Sequence, residues 1–134
     1  MNTAYAFTFE LEQPLPEALE TLRGALAAEQ MGIVSEVDLQ ATLQNRLAVD
    51  IPPHRFLGVC SPRVAHALTQ ADADIGALLP CGCSLRETAP GRTRVALQDP
   101  RVIAAVADRP EVRAACEIAR AALRRVVDRL ALAA

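Results

Sequence analysis

The stretch "CGCSLRETAPGRTRVALQ", residues 81 to 98, decides how the chain folds. Two β-rich runs, "CGCSLRET" and "RTRVALQ", flank "APG", and a proline–glycine turn between such runs reads as a β-hairpin. Upstream, a strand followed by a helix recurs three times. "TAYAFTF" (residues 3–9) alternates as a first strand, and Leu15, Leu19, Leu22 and Leu26 form one helical stripe that Gly32 would stop. "GIVSEVDL" (32–39) is a second strand, and Leu39, Leu43 and Leu47 mark a short helix with Asp38 as its N-cap. "VDIPPH" is a turn, because consecutive prolines cannot continue a helix. "RFLGVC" (55–60) is a third strand, and "SPRVAHAL" starts a helix with Ser61 as N-cap and Pro62 at its first position.

Downstream of the hairpin, Asp99–Pro100 and Pro110 each start a helix. In the last one Val112, Cys116, Ala119, Leu123, Val126 and Leu130 recur at alternating four and three, the spacing of one helix face. The order is therefore βαβαβα, then ββ, then αα. A sheet of about five strands with helices packed against it follows, an α/β fold of the α+β two-layer sandwich type. Residues 1–134 read as a single domain, with no repeat or linker.

Composition narrows the function classes. Only 3% of residues are aromatic and the formal charge is −2, so base-stacking platforms and a phosphate-binding surface are both lacking, and no nucleic-acid partner is expected. All 14 basic residues are arginine, which excludes a Schiff-base or phosphate-loop lysine. No apolar run approaches the roughly 18 residues that span a bilayer, and "MNTAYAFTFELEQ" lacks the pattern of a signal peptide. A cytoplasmic protein without membrane partners is the expectation, with its four cysteines mostly reduced.

The spaced pieces "E-x-D" at Glu36–Asp38, "ATL…LAVD", "LG-x-C-x-P" around Cys60 and "LLPC" ending at Cys81 resemble the domain of unknown function 302 family, in order and interval, over nearly the whole chain. The resemblance implies a small α/β sandwich and a homodimer, and it implies no activity. Similar sequences usually carry Asn and an aliphatic residue where this chain has Gly82 and Cys83, and often Asn and Tyr in place of Ser61 and His54.

The cysteines are the leading candidates for chemistry. Cys81 and Cys83 lie two apart on a strand and share a face about 6.5–7 Å apart, which disfavours a mutual disulfide. Parallel thiolates at that spacing suit a soft ion such as zinc or copper. Packed as small hydrophobes, the same two residues do nothing more. Cys60 ends a strand at the N-terminus of a helix, with Arg63 nearby, a setting that favours a thiolate. Strand ends beside helix starts commonly form a binding crevice. If the third and fourth strands are neighbours, Cys60, Cys81 and Cys83 converge, and His66 or His54 would complete a metal site. Cys116 falls on the apolar stripe of the last helix and reads as core.

Glu36 and Asp38 share a strand face and suit a hard cation or acid–base work; alternatively Asp38 caps a helix and Glu36 meets an arginine. Arg113–Glu117, Arg124–Asp128 and Glu117–Arg120 read as helix-face ion pairs. Three functions remain open. One is a binding module with ligand-binding residues Cys60, Cys81, Glu36 and Asp38, taking a metal ion or a thiol-reactive small molecule. Another is a thiol-dependent redox enzyme with Cys60 as nucleophile. The third is an interaction dimer with packed cysteines. No nucleophile–base–orienter set can be assembled, which argues against a hydrolase.

Overall fold

Alternation of Phe7, Phe9 and Leu11 toward one side builds β1 (Ala6–Leu11), which starts three residues later than the sequence suggests. The structure, a computed structural model, describes residues 2–133. Helix α1 (Leu15–Ala27) follows and buries the whole predicted leucine stripe. Its own N-cap, Pro14, offers no side-chain acceptor; instead Glu87 reaches across from the hairpin and accepts from the Leu15 N–H at 2.8 Å. Gly32 does not stop this helix. The N–H groups of Glu29, Gln30 and Met31 fold back onto the carbonyls of Leu26 and Ala27, with Gln30 left-handed at φ 59°, and Gly32 opens the next strand.

β2 (Gly32–Asp38) leads into α2 (Leu39–Leu47), where the Asp38 carboxylate accepts from the Ala41 N–H at 3.0 Å. β3 (His54–Cys60) precedes α3 (Pro62–Ala71), and Ser61 Oγ accepts from the Val64 N–H. The turn-rich segment contains a 3-10 helix (Ile75–Leu78) and a cis Leu79–Pro80 bond. β4 (Cys81–Ala89) and β5 (Arg92–Gln98) form the predicted hairpin. Its tip is Pro90–Gly91 with Gly91 at φ 78°, the residue order and conformation of a type II turn. α4 (Arg101–Val106) and α5 (Pro110–Ala133) complete the chain.

All pairings are antiparallel in one five-stranded sheet ordered β1-β5-β4-β3-β2. Helices α1 and α5 cover one face, where Phe7, Leu22, Leu57, Leu85, Leu97 and Val126 meet in the main core. A second cluster, with Leu68, Ile75, Ile103, Val112 and Cys116, joins α3 and α4 to the N-terminal half of α5. The opposite sheet face carries small residues, Gly58, Gly82, Ser84 and Ala96. No described helix is long and apolar enough to cross a membrane.

The predicted ion pairs within α5 do not form among the described residues. Arg113 pairs with Asp108, and Arg120 donates to the buried Asp99 at 3.2 Å. Arg124 instead lies 6.0 Å over the Phe7 ring, beside Arg120 at 5.5 Å. Arg120 thereby reaches a buried carboxylate on another segment, whereas Arg113 exchanges one exposed partner for another.

Candidate functional site

The site is built around a glycine. A Cβ at Gly58 would collide with Ser35 Oγ and Pro80 Cγ, so the bare backbone lets Pro80 lie directly over β3. That close approach brings the start of β4 into register with the end of β3, with Val59 opposite Cys81. One residue on, the Ser61 cap and Pro62 turn the chain into α3. Between β3 and α3 a cavity of about 360 Å³ remains. Its walls are Val59 and Cys60 of β3, Val64, Ala65 and Leu68 of α3, Leu79 to Cys81, and Ala119 and Leu123 of α5, with Met31 and Val34 at the edge.

Asp99 ties the start of α4 to α5 at Arg120, next to Ala119. This carboxylate accepts from the N–H of Arg101, the first residue of α4, at 3.0 Å, and it also accepts from the guanidinium groups of Arg101 and Arg120. Burial alone would raise its pKa, but those hydrogen bonds outweigh it and hold the carboxyl below the usual range. Nothing at the sequence level marked Asp99 beyond its place before Pro100.

Cys60 and Cys81 therefore come together on one apolar wall, as the sequence suggests if β3 and β4 are neighbours. Cys83 does not join them. It shares the inner face with Cys81 but lies deeper, opposite Leu57 and Leu97, inside the main core. Burial pushes its thiol up to about 12. The Cys81 thiol is pushed up to about 11, first by burial and then by the neighbouring Cys116 and Cys60 thiols. Both are neutral thiols at physiological pH.

His66 is exposed on α3 and does not line the cavity. His54 stacks edge-on against Phe56 at 5.3 Å and faces Arg86 on β4; burial and that arginine lower its pKa. The expected metal set of Cys60, Cys81, Cys83 and His66 is thus dispersed. Among the described residues no three His, Cys, Asp or Glu side chains gather where they would hold a metal ion. Glu36 pairs with Arg55 across the strands and Asp38 caps α2, so neither carboxylate reaches the cavity. Cys116 is core, as its place on the α5 stripe implies.

The profile of the family described as "Domain of unknown function DUF302" matches residues 7–130. Among solved structures, the chain is similar to an uncharacterized conserved DUF302 protein from Bacillus stearothermophilus, with a TM-score of 0.83 and 21% identity. That likeness spans 96% of this chain and 99% of the other, and it establishes a shared fold. No curated protein matches the chain.

Proposed function

The chain belongs to the DUF302 family, and we propose that it is a small-ligand-binding module whose site is the cavity between β3, α3 and α5. The observation that carries this reading is a pre-formed chamber of about 360 Å³ with almost wholly apolar walls, within the size range of small-molecule pockets. Among the described residues no three metal-donor side chains gather, and burial keeps the Cys81 thiol neutral, which together favour an organic occupant over zinc or copper. The two thiols make the wall polarizable. Its setting is the reducing cytoplasm, where free cysteines persist.

The test uses a neutral, environment-sensitive probe such as 1-aminoanthracene, titrated into wild type and into Ala65→Phe, which fills the chamber. Saturable binding near one probe per chain, lost in a normally folded Ala65→Phe, is the expected result. Equal binding by both proteins removes this site.

A second reading concerns assembly. β2 and α2 bury no side chain, and Val34, Val37, Leu47 and Val49 are exposed along this sheet edge. A nine-residue helix with no buried face has little to hold it in water. We propose that a second copy of the chain covers this edge; the mixed charges of Glu36, Arg46, Asp50 and Arg55 suit a two-fold contact. Light scattering of wild type and Leu47→Arg tests it: a dimer converted to monomer supports the contact, and a wild-type monomer at all concentrations refutes it.

A further inference from the structure

The chamber does not end at Ser61. A second hollow of about 140 Å³ adjoins it and shares Met31, Ser61, Val64 and Ala119 as common walls. Its character is different, for its remaining walls include Glu29, Arg63 and Arg125. Glu29 is already occupied: Arg125 Nε meets it at 2.8 Å and Arg129 at 3.8 Å. Arg63 has no ion pair among the described residues. The lining of the hollow therefore carries one more cation than anion, and Arg63, without an ion pair among the described residues, belongs to this hollow beside the apolar chamber.

An unpaired arginine on a surface is unremarkable, and so is an apolar pocket. Their junction is specific. A neutral apolar ligand would use the chamber and leave Arg63 to water, whereas an inorganic anion would use Arg63 and leave the chamber empty. A molecule with both parts uses both, because the guanidinium fork matches the two oxygens of a carboxylate. Arg63 itself lies in the first turn of α3, whose partial positive charge adds to its own.

We propose that the ligand of this site is an amphipathic carboxylate, its hydrocarbon part in the chamber and its carboxylate at Arg63. This rests on the chamber being the binding site and goes further by naming the ligand's class. Affinity then rises with chain length by about fourfold per methylene until the chamber is full. Removing the arginine charge weakens the carboxylate by about two- to fivefold, the range of an exposed ion pair, and leaves a neutral chain of equal length unaffected.

The experiment is titration calorimetry of the full chain with octanoate and with octan-1-ol, for wild type and Arg63→Gln. Arg63 is exposed, so its replacement leaves the packing intact. The expected result is that wild type prefers octanoate by about two- to fivefold, while Arg63→Gln binds the two alike and holds the alcohol as wild type does. Equal binding of both by wild type, or a preference that survives in Arg63→Gln, overturns the carboxylate assignment and leaves the chamber standing. Failure of both compounds to bind wild type overturns the chamber and the assignment together.

Discussion

Raising the pH from about 8 to about 10 destabilises this protein through Cys81 and Cys83. Burial holds these thiols at about 11 and about 12 against an ordinary value of 9.0. Because the folded values are raised, the folded chain keeps its protons while the unfolded chain loses them. The stabilisation is complete below about 9 and is lost as pH climbs through the folded values. Each thiol costs about 1.4 kcal/mol per pH unit in that window. At pH 10 the pair removes roughly 3 kcal/mol relative to pH 8, a large part of an ordinary domain's stability. The absence of lysine keeps the background low, since arginine does not titrate in this range. Urea unfolding under reducing conditions at several pH values, for wild type and Cys81→Ala/Cys83→Ala, measures it. The double variant has a lower starting stability and a much flatter pH dependence. Parallel slopes for the two proteins would refute the reasoning.

Gly58→Ala lowers stability by about 1–3 kcal/mol through overpacking, seen as a drop in Tm, because its Cβ meets Ser35 and Pro80. Adding Ser35→Gly recovers part of the loss if that contact is the cause. Asp99→Ala leaves Arg120 without its buried partner and costs about 1–3 kcal/mol in denaturant unfolding, above the cost of removing an exposed carboxylate such as Glu20. Alkylation followed by mass spectrometry should label Cys60 first and leave Cys83 and Cys116 almost unmodified in the native protein. Equal rates at all four thiols would mean that the buried cysteines are not enclosed.

What was legible in the sequence was local. The α5 stripe from Val112 to Leu130, the caps at Asp38 and Ser61, and the Pro90–Gly91 tip each depend on residues a few positions apart. Strand order was not legible, because pairing Val59 with Cys81 closes a loop whose ends carry no mark of each other. The site inherited that limit. Cys60 and Cys81 were recognisable as candidates, but the cavity between them arises where α3 packs on α5, and α5 is held by an Asp99–Arg120 pair from distant segments. The ion pairs expected inside α5 failed for the same reason: spacing on one helix says nothing of a better partner elsewhere. Gly58 had a sequence signal, a glycine inside the apolar run Phe56–Cys60, which marks a place where other atoms approach the strand closely.

The most direct test of the account is where a ligand binds. Backbone amide NMR shifts of the full chain, recorded while 1-aminoanthracene is titrated in, give its location residue by residue. The account predicts that the largest changes fall on Cys60, Val64, Ala65, Leu68 and Cys81, around the chamber. Changes centred instead on Phe56, Gly82, Ser84 and Ala96, on the uncovered face of the sheet, would contradict it.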